Sequence, residues 1–261
     1  MTKQARDPQR PLQPQKKAIV VGASSGIGAA LVQELAQRGV AVAALARREE
    51  MLEAVCERAN RLAGTVVRAF PYPHNVTDFD DVPTLFRRIV QDLDGLDVVF
   101  YVAGIQPAVE PQEYNFDKDA AMVGVNLLGA MAWLNEAASR FEAIGKGHIV
   151  GVSSISGDRG RAAFPGYHTS KGALTIYLES LRNRLSRCGV TVTTVKPGFV
   201  QTRLLANADK SLWVISPEEA ARQIVEAVED KKQTVYVPGR WRWVSLVIRN
   251  IPSFLFRRLN L

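Results

Sequence analysis

Two patterns of apolar and polar positions alternate along this chain of 261 residues. The first is a short, nearly continuous apolar run, which is typical of a strand buried on both faces of a parallel sheet. Seven such runs occur, in the order KAIVVGA (17–23), VAVAALA (40–46), TVVRAFPY (65–72), LDVVFYVAG (96–104), GHIVGVSS (147–154), VTVTTVKPG (190–198) and QTVYVP (233–238). We therefore predict seven buried strands.

The second pattern is a longer segment in which apolar residues recur at helical spacing. Such segments cover residues 26–39, 49–64, 78–95, about 117–144, 167–189 and 216–230. The first two end in glycine, which commonly terminates helices, and the last begins with Ser-Pro-Glu-Glu, a typical helix start. Strands and helices that alternate with short connections form right-handed crossovers. We therefore predict an α/β fold with a doubly wound, parallel seven-stranded sheet and helices on both faces.

Composition divides the chain into three parts. Residues 1–16 are rich in Pro, Gln and Arg and are predicted to be a disordered basic tail. Residues 17–238 carry the alternating pattern without a compositional break, and residues 239–261 form a basic extension. The formal net charge is +7; because residues 1–17 carry +4 and residues 239–261 carry +5, the remaining body is slightly acidic. This distribution argues against a body that binds nucleic acid.

Other classes of protein are not indicated by this sequence. No apolar run reaches the roughly 18 residues that a membrane-spanning helix needs, and the first residues lack the apolar stretch of a signal peptide. Cys56 and Cys188 are far apart, and the three histidines lack metal-ligand spacing. We therefore expect reduced thiols, no bound metal and a cytoplasmic location.

A glycine-rich turn, VVGASSGIG, lies between the first strand and the first helix. Gly22 permits the tight turn, whereas Gly26 and Gly28 remove side chains where the backbone approaches a pyrophosphate and where the helix packs on the strand. The free N–H groups at the helix start then face the anion. The turn predicts a dinucleotide site; a glycine-rich turn without a ligand is the alternative interpretation.

The end of the second strand indicates which dinucleotide binds. NAD sites place an acidic residue here to hold the ribose 2′-OH, but this chain has Ala46 followed by Arg47 and Arg48. A guanidinium can bind a 2′-phosphate with paired hydrogen bonds, whereas a carboxylate would repel it. The sequence therefore favours NADP(H) over NAD(H), with Arg47 as the contact. The alternative is a pair of solvent-facing arginines.

A tyrosine and a lysine, Tyr167 and Lys171, lie four residues apart in a predicted helix and share one face. The pKa of a free tyrosine is about 10, and a nearby ammonium lowers it, so the pair suits acid–base catalysis. This spacing alone is also common on helix surfaces. Ser154, at the carboxyl end of the fifth strand, adds a hydroxyl at the sheet edge where ligands bind.

Together these motifs resemble the short-chain dehydrogenase/reductase family over about residues 17–238. GASSGIG resembles the family's TGxxxGIG, VNLLG places Asn126 at its helix asparagine, and KPGFVQT (196–202) resembles its PG motif. The resemblance implies a Rossmann fold that binds a dinucleotide and carries a catalytic set, namely Asn126, Ser154, Tyr167 and Lys171. It implies cofactor contacts at Gly22, Ser24, Ser25, Gly26, Ile27, Gly28, Arg47, Asn75, Val76, Ala103, Gly104, Tyr167, Lys171, Pro197, Gly198, Val200 and Thr202.

Four positions in three motifs depart from the family's pattern. Val21 replaces the threonine of TGxxxGIG, and Asn75 stands where an aspartate normally contacts adenine. The family's NNAG reads YVAG at 101–104, so the hydrogen bonds of both asparagines are lost or replaced. None of these departures touches the group that transfers a proton.

Two segments bear on the substrate and on partners. After the PG motif, Leu204, Leu205, Leu212, Trp213 and Ile215 either form an apolar lid, which favours a lipophilic ketone or aldehyde, or simply pack on the body. In the extension, one helical face carries Trp241, Val244, Val247, Ile248, Ile251 and Leu255, and another carries Arg242, Ser245, Arg249 and Ser253. The apolar face either contacts a membrane interface or packs on its own subunit, a dimer partner or the substrate mouth.

The sequence therefore predicts an NADP(H)-dependent oxidoreductase that interconverts a carbonyl and an alcohol, with Tyr167 as acid and base. The resemblance implies a homodimer or homotetramer through the helices at 117–144 and 167–188. A catalytically silent NADP(H)-binding regulator and a membrane-surface scaffold are the alternatives. A regulator that only binds NADP(H) has no need for a proton donor. A membrane-surface scaffold does not account for the spacing of the predicted catalytic residues.

Overall fold

The computed structural model describes residues 16–64, 68–110, 112–207 and 212–259. Seven strands form one parallel sheet in the order β3-β2-β1-β4-β5-β6-β7. They are β1 (Lys17–Val21), β2 (Ala41–Ala46), β3 (Ala69–Pro73), β4 (Val98–Tyr101), β5 (Gly147–Val152), β6 (Val190–Pro197) and β7 (Thr234–Val237). The predicted doubly wound, seven-stranded sheet is confirmed.

Helices cover both faces of the sheet. They are α1 (Gly26–Gln37), α2 (Glu49–Ala63), α3 (Val82–Asp92), α4 (Phe116–Val123), α5 (Gly129–Ile144), α6 (Pro165–Leu185), α7 (Pro217–Glu229), α8 (Trp241–Asn250) and α9 (Ser253–Phe256). In β1, Ala18 and Val20 pack towards the core formed with α1, α2 and α7, whereas Ile19 and Val21 pack towards α3, α5 and α6. Both faces are buried, which is why the strands appear as continuous apolar runs.

Several boundaries differ from the predicted ones. The third strand begins at Ala69, and residues 65–67 of its predicted range lie outside the described residues. The long helix predicted over 117–144 is divided by a π-helical segment, Gly124–Leu128, between α4 and α5. Such an insertion is frequent at functional sites, and this one contains Asn126. Hydrophobic periodicity does not reveal it because the apolar spacing continues across it.

The chain runs from β1 outward to β2 and β3 on one side, and from β4 to β7 on the other. The strand order therefore reverses between β1 and β4, which creates a crevice at their carboxyl ends. The backbones that follow β1 and β4 meet there so closely that a Cβ on Gly22 would lie 2.5 Å from the backbone nitrogen of Ala103. The fold therefore brings the glycine-rich turn and the YVAG segment together.

Two predictions concern the ends of the chain. Residues 1–15, nearly all of the predicted disordered tail, lie outside the described part. The extension after residue 238 forms α8 and α9. Among the described residues, we find no helix with the length and apolar character to span a membrane.

Candidate active site

A cavity of about 750 Å³ opens at the carboxyl ends of the strands. Its wall joins the glycine-rich turn after β1, the segments that follow β2, β4, β5 and β6, and the start of α6. Ligands of open α/β sheets bind in this position. The cavity therefore gathers segments that are far apart in the sequence.

The glycine-rich turn shows the features that a bound pyrophosphate requires. Gly22 has φ +96° and Gly26 has φ +55°, a left-handed region that favours glycine. A Cβ on Gly28 would lie 2.1 Å from the carbonyl oxygen of Gly22, so no side chain fits there. The first N–H groups of α1 have no partner within the helix, and the turn that presents them lines the cavity. This cradle fits the phosphates of a dinucleotide.

The two arginines after β2 have different surroundings. Arg47 is exposed and lines the cavity, as predicted for a cofactor contact. Arg48 also lines it, and its Nη2 donates hydrogen bonds to the hydroxyl oxygens of Ser24 (2.9 Å) and Ser25 (3.0 Å). Hydrogen bonds therefore hold the Arg48 guanidinium against the turn.

Ser154, Tyr167 and Lys171 are buried together at the other end. Ser154 follows β5, whereas Tyr167 and Lys171 lie one turn apart near the start of α6. The Lys171 ammonium donates a hydrogen bond to the carbonyl oxygen of Val152 (3.0 Å) and lies 5.9 Å from the centre of the Tyr167 ring. All three of these side chains, which the sequence predicts to be catalytic, line the same cavity as the glycine-rich turn.

The pKa of Tyr167 differs from the expectation. Burial raises it above the ordinary value, and the hydrogen bond with Ser154 opposes the rise. Burial also lowers the pKa of Lys171 to about 8. The Lys171 ammonium bonds to the Val152 carbonyl, and burial disfavours its charge.

Asn126 is fully buried in the π-helical segment and does not line the cavity. Its Oδ1 accepts from the N–H of Ile105 (2.7 Å), and its Nδ2 donates to the carbonyl of Ile105 and the hydroxyl of Ser170 (both 3.0 Å). These bonds hold the segment after β4 against α6. A Cβ on the neighbouring Gly104 would lie 3.2 Å from Nζ of Lys171.

Tyr101 explains how the chain tolerates the loss of the NNAG asparagines. It is fully buried, and its hydroxyl donates a 2.5 Å hydrogen bond to the carbonyl of Val125 in the π-helical segment. Gly129 leaves room for it, since a Cβ there would lie 2.5 Å from the Tyr101 hydroxyl. Tyr101 therefore supplies one side-chain hydrogen bond at the first asparagine position, whereas Val102 supplies none at the second.

One predicted cofactor contact lies elsewhere. The amide of Asn75 donates to Thr77 Oγ1 (2.6 Å) and Asp78 Oδ1 (3.0 Å), and its neighbours His74 and Val76 line the cavity instead. The remaining predicted contacts line the cavity: Gly22, Ser24, Ser25, Gly26, Ile27, Gly28, Arg47, Val76, Ala103, Gly104, Tyr167, Lys171, Pro197, Gly198, Val200 and Thr202.

Sequence reasoning missed other residues of the wall, notably Arg161, Phe164 and His168. They lie in or next to the stretch between Ser154 and Tyr167, two residues that the sequence predicts to be catalytic. Their position next to Ser154 and Tyr167, together with the charge of Arg161, is the only feature of the sequence that could have indicated a place in the cavity wall. Spacing does not show which side chains of a loop turn inward.

The predicted lid divides into two parts. Leu204 and Leu205 line the cavity, whereas Leu212, Trp213 and Ile215 do not, and Ile215 packs against the core. Trp213 packs edge-on against Trp241 with ring centres 5.3 Å apart. Residues 208–211 lie outside the described part. The apolar cover is therefore limited, among the described residues, to the first part of this segment.

The buried face of the extension differs from the predicted one. Trp241 and Ser245 are buried, whereas Val247 and Leu255 are exposed. The serine turns inward because its hydroxyl donates to the buried carboxylate of Asp158. No residue described beyond 238 lines the cavity, so packing over the substrate mouth is not what this structure shows.

The comparisons with known proteins agree with this geometry. The family model described as short chain dehydrogenase matches residues 16–213. An uncharacterized oxidoreductase of Myxococcus xanthus is 37% identical over 242 residues, covering 92% of this chain and 94% of that protein. Glycine betaine reductase ATRR of Emericella nidulans is 34% identical over 82% of this chain but only 17% of its own length. This chain therefore belongs to the short chain dehydrogenase family and is an NAD(P)-dependent oxidoreductase.

Solved structures show the same fold. A variant of actinorhodin polyketide ketoreductase with NADPH aligns with a TM-score of 0.78 at 24% identity, covering 86% of this chain and 96% of that one. A 3-oxoacyl-(acyl-carrier protein) reductase of Brucella melitensis with bound NAD aligns with a TM-score of 0.77 at 24% identity, covering 91% and 96%. Proteins of this fold were thus solved with either dinucleotide.

Proposed function

We propose that the protein is an NADP(H)-dependent reductase that converts a ketone or aldehyde to an alcohol, or catalyses the reverse reaction. One observation carries the proposal. Buried Ser154, Tyr167 and Lys171 line the same cavity as the glycine-rich turn that can hold a dinucleotide.

The chain's own residues would orient the substrate and supply the proton. The bound cofactor supplies or accepts the hydride. The Ser154 hydroxyl is placed to donate a hydrogen bond to a carbonyl oxygen, and Tyr167 to protonate that oxygen. Because burial raises the pKa of Tyr167, the phenol stays protonated at neutral pH, which suits reduction. Asn126 holds the Ile105 segment beside Lys171, and the family resemblance gives it a further role in proton supply.

The wall near Tyr167 includes Phe164, Leu204 and Leu205. These side chains favour an apolar portion in the substrate. The direct test is consumption of NADPH with ketones and aldehydes that range from short and polar to long and apolar. Turnover of apolar carbonyls supports the proposal. Binding of NADPH without turnover across the panel would instead favour the catalytically silent regulator.

We infer NADP(H) over NAD(H) from the two arginines beside the turn. Arg47→Ala/Arg48→Ala should raise the Kd for NADPH about 10- to 100-fold, because a hydrogen bond to a charged group contributes about 1.5–3 kcal/mol. Titration of the purified variant with NADPH and with NADH measures this. NADH lacks the 2′-phosphate, so its Kd should change less than about threefold. An equal loss for both cofactors would contradict the preference and assign Arg48 a purely structural role at Ser24 and Ser25.

We also propose that the protein is cytoplasmic and that its extension, residues 239–261, makes a peripheral contact with an anionic membrane. The tail patch comprises the exposed apolar residues Trp243, Leu246, Val247, Phe254, Leu255 and Leu259 with the exposed arginines Arg242, Arg249, Arg257 and Arg258. The exposed fractions of Trp243 and Val247 are both 63%. No acidic residue occurs after residue 238. A second copy would bring the same positive charge, whereas anionic headgroups attract it by about 1 kcal/mol per arginine.

A flotation assay with lipid vesicles tests the tail patch. The full chain should float with vesicles that contain phosphatidylserine, and less with pure phosphatidylcholine or in high salt. Trp243→Ser/Leu246→Ser/Val247→Ser should abolish flotation without disturbing the buried Trp241 and Ser245. Leu62→Ser, which removes an exposed apolar residue of α2, is the matched control. Flotation that is unchanged in the triple variant, or absent in the full chain, would refute the membrane contact.

Self-association is assigned to other surfaces. The family resemblance points to the helical region from α4 to α6. Its exposed apolar side chains include Leu128, in the π-helical segment, and Ile176, in α6. We propose a homodimer or homotetramer through these helices, which leaves the tail patch free.

A further inference from the structure

Arg161 is a cation in the catalytic half of the cavity that the reaction described above does not use. It lies in the loop between the 3₁₀ turn Ile155–Asp158 and α6, and it lines the cavity. Its Nε is buried and has no hydrogen-bond partner among the described residues. A guanidinium carries five N–H donors in a rigid fork. The Nε–H of Arg161 can therefore donate a hydrogen bond to a ligand in the cavity.

The acidic residue that acts on Arg161 is already occupied. Asp158 favours the charged form of Arg161, but its carboxylate forms a buried ion pair with Lys196 and accepts hydrogen bonds from Tyr236 and Ser245. Arg161 itself takes part in no ion pair found within the described ranges. Burial lowers the pKa of Arg161 because it disfavours the charged form, and the charge of Asp158 opposes this decrease. A ligand that supplies a negative charge would remove this cost.

The position of Arg161 points to the substrate rather than to the cofactor phosphates. Burial and the charge of Arg161 lower the pKa of His168 to about 4, so His168 is neutral at pH 7 and leaves Arg161 as the cation beside it. The His168 ring lies 6.4 Å from the ring of Tyr167. The phosphate cradle, by contrast, is built after β1 and β2, where Arg48 bonds to Ser24 and Ser25.

We propose that Arg161 binds an anionic group of the carbonyl substrate, a carboxylate or a phosphate. The substrate is then an acidic carbonyl compound, whose apolar part contacts Phe164, Leu204 and Leu205 while its acid group pairs with the guanidinium. This inference rests on the proposed reductase function and names its substrate class. It also narrows the expected lipophilic carbonyl to one with an acidic group.

Matched substrates test the inference with the full chain and NADPH. Each pair shares one carbonyl skeleton: a keto acid with its primary amide, and a keto phosphate with its neutral alcohol. The native protein should prefer the acid. Arg161→Gln should lower kcat/KM for the acid about 10- to 100-fold, mainly through KM, and leave the amide within about twofold. Arg161→Lys should restore part of the preference because it keeps the charge but not the fork.

The outcomes separate the inference from the function on which it rests. The inference is overturned if Arg161→Gln lowers kcat/KM equally for the acid and the amide, or if the native protein prefers the amide. Turnover of either substrate still supports the proposed reductase function. A higher Kd for NADPH in Arg161→Gln would overturn the inference and indicate that Arg161 contacts the cofactor. If no carbonyl turns over, binding of the corresponding hydroxy acid with NADP⁺ is measured by tryptophan fluorescence. Binding lost only in Arg161→Gln supports the site, and binding equal in both proteins overturns it. Arg187→Gln, an exposed arginine outside the cavity wall, is the charge-matched control.

Discussion

Tyr167→Phe should lower kcat for carbonyl reduction by about 10²- to 10⁴-fold, the range that general acid catalysis supplies. The change removes one hydroxyl from a buried residue and leaves the ring in place, so the cavity keeps its shape. The Kd for NADPH should therefore stay within about threefold of the native value, since Phe removes only one hydrogen bond near the cofactor. Steady-state kinetics and a cofactor titration on the same preparation measure both.

The pH profile adds a check on the role of Tyr167. Tyrosine must be protonated to act as the acid, and burial raises its pKa, so reduction should stay constant through neutral pH and fall only in the alkaline range. The variant should lose this alkaline decrease. Tyr177→Phe is the matched control, because Tyr177 lies on the same helix and its hydroxyl bonds to Asn135 away from the cavity wall. Turnover in Tyr167→Phe comparable with that of the control would rule out Tyr167 as the acid.

Asp158→Asn should lower the free energy of unfolding by about 3–5 kcal/mol, the usual effect of removing one partner from a buried ion pair. The side chains of Asp158 and Lys196 are only 3% and 5% exposed, so the variant leaves a buried ammonium without its counter-charge. The carboxylate also accepts hydrogen bonds from Tyr236 and from Ser245 of α8. Urea unfolding followed by circular dichroism measures the change.

Two further variants separate the charge from the rest of the network. Asp158→Asn/Lys196→Met removes both charges and should recover much of the loss, since apolar replacement of a buried pair is often nearly neutral. Lys118→Met breaks the more exposed pair with Glu113 and should change stability by no more than about 1 kcal/mol. A loss below about 1 kcal/mol in Asp158→Asn would show that Lys196 finds another partner or solvent.

The short chain dehydrogenase architecture was predictable because its determinants are local. The sheet follows from apolar runs whose alternate residues pack on opposite faces, as Ile19 and Val20 do in β1. The glycine-rich turn follows from positions where no Cβ fits, such as Gly28. Each motif lies at a strand end, and parallel strands bring their carboxyl ends to one edge. Sequence order alone therefore places Ser154 and Tyr167 near the turn.

Other features depend on contacts between distant segments, which no local pattern encodes. Ser245 was predicted on a polar face, yet it is buried because Asp158, 87 residues earlier, accepts its hydrogen bond. Tyr101 replaces an asparagine by reaching the Val125 carbonyl in a π-helical segment that hydrophobic periodicity does not show.

The sequence by itself determined the sheet and the glycine-rich turn, and it predicted Tyr167 as the proton donor, because residue type and spacing along the chain are sufficient for each. Only the tertiary structure decided that Arg161 lines the cavity with an Nε that has no hydrogen-bond partner among the described residues. It also decided that the amide of Asn75 turns to Thr77 and that burial raises the pKa of Tyr167. The orientation of a loop side chain and the desolvation of a charge depend on what packs around them. Those neighbours are assembled only when the chain folds.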